Sequence, residues 1–249
     1  MAEDKIEASA DDRRFGGVAR LYGLELRERF RHATVVVAGL GGVGSWAAEA
    51  LARTGIGHMV LVDFDHIAES NTNRQLHALE GQYGKAKVQA MTDRIHQINP
   101  EIHLTPCDAF LEPENLDVLI PQNAIVLDAT DSVQTKIALA VWATKNQRAL
   151  VMCGAAGGKS DPTAVRCDDL SRTEQDALLA KVRQGLRQDH GFSRNLKKKI
   201  GVRAIYSHEP RSGVATGGLA CSGYGSTVMV TGACGLAAAA EVLNLIAAQ

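Results

Sequence analysis

Several residues in this chain have the types and spacing to handle phosphate. Gly39-Leu40-Gly41-Gly42-Val43-Gly44 lets the backbone approach an anion, because glycine has no Cβ. The run follows a β-branched segment, 34–38, and opens a segment of helical character. A helix N-terminus there would offer unpaired amides and a positive dipole end. Asp63 stands 19 residues beyond Gly44, where an acid accepts hydrogen bonds from ribose hydroxyls. Arg74 and Lys87 lie close enough in sequence to reach one triphosphate, Arg as a fork and Lys as a point charge. Asp131 follows another apolar run and suits Mg²⁺ held against phosphates. Taken singly, these residues could serve as a packing turn, surface charges and a helix cap. Their joint order favours a nucleoside triphosphate over a dinucleotide, whose diphosphate can be held by backbone amides.

The elements that must position these residues alternate along the first 155 residues. Thr34–Ala38, Met59–Val62, Ile102–Pro106, Ala124–Leu127 and Ala149–Met152 read as strands buried on both faces. Leu24–Arg31, Gly42–Thr54, Lys85–Ile98 and Ser132–Lys145 read as helices, the last capped by Ser132 or Asp131. Such alternation predicts an α/β fold, a Rossmann-like doubly wound, mostly parallel sheet. Beyond Gly158 the rhythm breaks. Asp168–Gln188 reads as a charged helix, Phe192–Gly201 as a basic loop, Val202–Tyr206 as a strand and 208–223 as a loop. Thr227–Ala248 is apolar and long enough to span a bilayer. Its Gly and Thr residues and Glu241 favour a buried helix, so membrane insertion is not expected. The second half is therefore a C-terminal elaboration ending in an apolar helix.

At this point a resemblance carries further than spacing. The Gly39–Gly44 run, Asp63-Phe64-Asp65, Asn71-Thr72-Asn73-Arg74-Gln75, Lys87 and Asp128-Ala129-Thr130-Asp131 resemble the adenylating domain shared by ubiquitin-activating enzymes, MoeB and ThiF. Within that superfamily, the segments 14–23, 44–57 and Cys221-Ser222-Gly223-Tyr224-Gly225 resemble the tRNA threonylcarbamoyladenosine dehydratases. The resemblance implies one adenylating domain over 14–249, with 1–13 a flexible tail. It implies an ATP- and Mg²⁺-dependent, AMP-forming ligase-type reaction in which a substrate carboxylate attacks the α-phosphate. The substrate would be the threonine carboxylate of a modified adenosine beside the tRNA anticodon, which then cyclises. By match, Gly39, Gly41, Gly42, Gly44, Asp63, Asp65, Asn71, Arg74, Gln75, Lys87 and Asp131 would bind ATP, with Asp131 on the metal. A homodimer is implied, with Arg14 or Arg20 reaching the partner's site. A monovalent cation and a cysteine desulfurase or sulfur-acceptor system remain open. The alternative within the superfamily is an activator of a ubiquitin-like or sulfur-carrier protein; outside it, the alternative is an NAD-binding module.

Cysteine usage bears on that choice. The five cysteines, at 107, 153, 167, 221 and 234, form no CxxC pair. This excludes a zinc ribbon and departs from the carrier-activating relatives that use two such pairs. Free thiols suit the cytoplasm. Cys221 is either a thiolate acceptor of the activated acyl group or a small packing residue, and the other four read as core. The acidic segment Met1–Asp12 has no signal-peptide core. A composition of 45% apolar and 22% charged residues excludes a disordered chain. The net charge of −1 by itself suggests no polyanion partner, yet Lys181–Arg203 carries +7. Arg194, Lys197, Lys198 and Lys199 in that stretch are the expected tRNA contacts, with Phe192 and Tyr206 as candidate stacking rings.

Overall fold

Val35, Val36 and Val37 are wholly buried in strand β1 (Thr34–Ala38), which carries side chains into both layers of the core. Val35 and Val37 join one apolar cluster, Val36 and Ala38 the other. Both faces of the strand are thus covered, the condition under which a parallel sheet is stable. The computed structural model describes residues 10–195, 198–212 and 224–249. In it β1 pairs in parallel with β2 (His58–Val62) and β4 (Ile125–Asp128). The sheet also contains β3 (His103–Cys107), β5 (Leu150–Cys153), β6 (Val165–Asp169) and β7 (Arg203–Ser207). The strand order is β3-β2-β1-β4-β5-β7-β6, and only the β6–β7 pair is antiparallel. The doubly wound, mostly parallel architecture expected from the strand rhythm is the one observed.

On one face lie α3 (Gly44–Thr54), α4 (Lys87–Ile98) and α8 (Val228–Ala247). On the other lie α6 (Val133–Lys145) and α7 (Ala177–Asp189). Helix α3 stops at Gly55, whose φ of 80° takes the left-handed conformation that glycine reaches without steric cost. A short α5 (Leu116–Leu119) precedes β4. Helix α8 is long and apolar enough to cross a bilayer, but Val230, Cys234, Ala238, Val242 and Ile246 are buried against the sheet and α3. It is a core helix, as its polar residues suggested. Its other face stays at the surface, with Met229 and Leu236 as its exposed large apolar residues.

Three expectations need correction. Helix α1 (Ala10–Tyr22), followed by α2 (Leu24–His32), begins inside the segment expected to be a flexible tail, so 10–13 are helical. Phe15 anchors α1 in the interior beneath the Arg27 guanidinium, 4.8 Å from its ring. The charged stretch from Asp168 is not one helix: Val165–Asp169 forms edge strand β6, and α7 starts only at Ala177. Edge strands tolerate charge on their solvent side, so charge along the run did not distinguish strand from helix. Cys167 is exposed and Cys107 half-buried, whereas Cys153 and Cys234 are core as expected.

Candidate active site

The sheet order reverses between β1 and β4, whose following connections run to opposite faces. Ligands bind in the crevice at the carboxyl ends of such strands. A cavity of about 450 Å³ opens there. Gly39, Gly41 and Gly42 from the first turn line it, with Asp63 and Asp65 beyond β2. Asn71, Arg74, Gln75, Lys87 and Asp131 complete the expected set. Five separate stretches of chain thus converge on one volume.

Gly44 is the member of the glycine run that does not line the cavity. A Cβ on it would fall 1.8 Å from the Gly39 carbonyl oxygen, so it serves the contact between strand and helix. At Gly41 a Cβ would meet nothing within 4 Å, which leaves backbone open to a ligand. No side chain caps α3. Ser45 N already donates to Gly41 O (3.1 Å), which leaves the amide of Gly44, at the start of the helix, for an anion.

Asp63 holds this turn in place. Its carboxylate accepts hydrogen bonds from Leu40 N (2.6 Å) and Asp65 N (2.8 Å). Burial raises its pKa, against the opposing pull of Lys87 and those amides. A carboxylate has about four acceptor positions, so two remain for hydroxyl groups. Lys87 is buried at the start of α4, with Nζ 2.7 Å from Asp65 Oδ2 and 3.7 Å from Asp63 Oδ1. It is therefore not a free cation: two acids already orient it. Arg74 donates through Nη1 to Ser70 O (2.9 Å) and Asn73 Oδ1 (3.0 Å), and has no acid partner among the described residues. Trp46 Nε1 donates to Arg74 O (3.0 Å), tying this loop to α3. Gln75 is buried with Oε1 unpaired.

Ser132 settles the fate of Asp131. Its Oγ accepts from Thr135 N (3.2 Å) and caps α6. Asp131 is not consumed as a cap, and it pairs with nothing among the described residues. An exposed, unpaired carboxylate facing a phosphate-sized cavity fits a magnesium ion, which takes one or two protein carboxylates and completes its shell with phosphate and water. No cluster of three metal-ligating side chains occurs among the described residues, so no protein-only metal cage is present there.

Some functional parts were not legible from spacing. Asp128 is wholly buried, accepting from Thr130 N and Oγ1 and from Lys136 Nζ at 3.1 Å, itself wholly buried. This pair fixes the turn that presents Asp131. Asp176 caps α7 through Leu179 N and also accepts from Ala155 N (2.8 Å), fastening α7 to the cavity wall. Phe64 and Phe110 line the cavity as a ring pair with centroids 4.6 Å apart. Their exposure was the missing signal, since an aromatic in sequence reads as core.

Arg14 and Arg20 are exposed and do not line this cavity. Arg14 instead borders a second cavity with Arg53 and Arg94. Arg194, Lys198 and Lys199 are exposed. Tyr206 is buried in the core cluster that holds α6 and α7 and is not free to stack, a correction to its expected role, whereas Phe192 is half-buried against the edge of that cluster. Cys221 and Lys197 lie outside the described residues.

Comparison with known proteins extends the geometry. Residues 16–249 match the ThiF family. The chain is 42% identical over 252 residues to the tRNA threonylcarbamoyladenosine dehydratase of Escherichia coli (strain K12), covering 95% of this chain and 94% of that protein. A solved structure of E. coli tRNA N6-threonylcarbamoyladenosine dehydratase in complex with ATP matches with a TM-score of 0.88 and 43% identity, covering 97% of this chain and 96% of that one. The molybdopterin-synthase adenylyltransferase of E. coli (strain K12) is 35% identical over 119 residues, 48% of each chain.

Proposed function

This chain belongs to the ThiF family, and we propose that it is an ATP-dependent enzyme that cyclises threonylcarbamoyladenosine in tRNA, beside the anticodon. The supporting observation is the convergence of Gly41, Arg74, Lys87 and an unpaired Asp131 on one cavity in a chain that matches such a dehydratase end to end. It would act in the cytoplasm, as a homodimer.

The chemistry follows from these positions. The ribose hydroxyls donate to Asp63, and the phosphates lie along the amides of the 41–44 part of the turn. Arg74 forks onto the triphosphate, while Lys87, oriented by Asp65, places a charge beside it. Asp131 would hold Mg²⁺, which supplies charge neutralisation on the phosphates. A threonine carboxylate oxygen attacks the α-phosphorus; the bond to pyrophosphate breaks and an acyl-adenylate forms. A nucleophile within the threonylcarbamoyl group then closes on the acyl carbon, loses its proton and expels AMP. The protein supplies positioning and charge stabilisation rather than a covalent partner. Ring closure inside one substrate needs no thioester on Cys221.

The test is pyrophosphate release, with mass spectrometry of the tRNA nucleosides. Wild type should release pyrophosphate only with threonylcarbamoyl-modified tRNA, and Asp131→Ala should lose at least a hundredfold of that rate at unchanged Tm. Full activity in Asp131→Ala would overturn the metal assignment. Turnover with a Gly-Gly-ended carrier protein in place of tRNA would favour the carrier-activating alternative.

A further inference from the structure

Helix α7 presents Arg183 and Arg187 one turn apart, and Arg194 comes from the segment that follows. The three, with Gln184, Gln188 and Ala180, line a cavity of about 460 Å³. No acid lines it. Arg183 is anchored by donating to Thr173 Oγ1 and Leu170 O, so its guanidinium is held in position. Burial and the neighbouring Arg187 both press its pKa below the usual arginine value. Arg187 is different: its Nε and Nη2 are buried and make no hydrogen bond among the described residues. Leaving charged donors unsatisfied is costly, and an oxyanion in the cavity would remove that cost.

The location identifies the class of anion. The first turn of α7 touches the nucleotide cavity through Leu178, and Asp176 fastens it there. At about 1.5 Å per residue, Arg183 and Arg187 lie roughly 8 and 14 Å farther along the helix. At that separation the two arginines can reach a backbone phosphate of a nucleotide close to the one being adenylated. We propose that Arg183, Arg187 and Arg194 anchor a backbone phosphodiester of the substrate tRNA, a few nucleotides from the residue being adenylated. The inference rests on the reading that the substrate is RNA. It differs from the expected contacts at Lys198 and Lys199, whose side chains are exposed and line none of the cavities described above.

Arg187 is the residue to change, because it makes no hydrogen bond among the described residues whose loss would disturb the fold; Arg194→Gln, at an exposed position, is the second variant. Binding of a tRNA transcript to the full chain would be measured by filter retention between 50 and 200 mM salt. Arg187→Gln should weaken binding several-fold and reduce the slope of log K against log salt by about one. Arg187→Lys should keep the slope, and the KM for ATP should not move. Unchanged affinity and slope in both Gln variants would overturn the anchor. So would loss of Tm stabilisation by inorganic phosphate without loss of tRNA affinity, which would assign the cavity to a free anion. Failure of wild type to turn over modified tRNA while still binding transcript through Arg187 would sink the reaction, not the anchor.

Discussion

Asp128 and Asp131 stand three residues apart and have opposite fates. Asp128 is sealed in the core against Lys136, and removing either partner would leave an uncompensated buried charge at a cost of about 3–5 kcal/mol. Asp131 faces the cavity because Ser132 has taken over the cap of α6. His77 shows another consequence of burial. Its ring is almost wholly buried, with both nitrogens unpaired, and burial, aided by the charges of Lys87 and Arg94, holds its pKa down to about 4. The unfolded chain therefore binds a proton more readily than the native one between about pH 6.5 and 4. Stability from this residue is fully present above pH 6.5 and is lost as pH falls to 4, by about 3 kcal/mol at most. We predict that His77→Leu flattens this part of the Tm-versus-pH curve; an unaltered curve in thermal melts would refute the assignment.

At the scale of the element, the turn between β1 and α3 divides its glycines between packing and binding. A methyl group on Gly44 has no room beside the Gly39 carbonyl, whereas one on Gly41 meets only the open cavity. Gly44→Ala should therefore destabilise the fold by about 1–3 kcal/mol or more, through forced backbone shifts. Gly41→Ala should melt like wild type but lose most of the Tm increase that saturating ATP confers. Scanning fluorimetry with and without ATP separates the two, and equal melting of both apo variants would contradict the division. Helix α8 makes a related point. Its apolar length resembled a membrane span, but its buried face covers α3 and the sheet, where Gly235 sits against the Val43 carbonyl.

For the molecule as a whole, one protomer leaves the site without the second arginine that the superfamily resemblance implies. Arg14 and Arg20 lie on α1, outside the nucleotide cavity. Leu21 and Leu24, at the α1–α2 corner, are 76% and 81% exposed, an apolar surface that a second copy would cover. The homodimer proposal therefore rests on this corner as well as on the exposed face of α8, which carries Met229 and Leu236. We predict dimeric mass in sedimentation, and restored pyrophosphate release when the inactive Asp131→Ala chain is mixed with an inactive Arg14→Ala/Arg20→Ala chain. A monomer that is fully active would remove the need for a residue in trans. The charge balance also resolves at this scale: the near-zero total averages the acidic N-terminal segment and the acids of the nucleotide cavity with the +7 stretch 181–203, which includes Arg183, Arg187 and Arg194.

What the sequence by itself determined was whatever is contiguous. The β-branched strands, the glycine turn and the order of Asp63, Arg74, Lys87 and Asp131 reflect local backbone preference and side-chain chemistry, both of which are written residue by residue. Only the tertiary structure decided what depends on distant neighbours. It paired Lys87 with Asp65, buried Lys136 on Asp128, made an edge strand of 165–169 and withdrew Tyr206 into the core. Burial and pairing are properties of the space around a side chain, and that space is assembled by segments far apart in the chain.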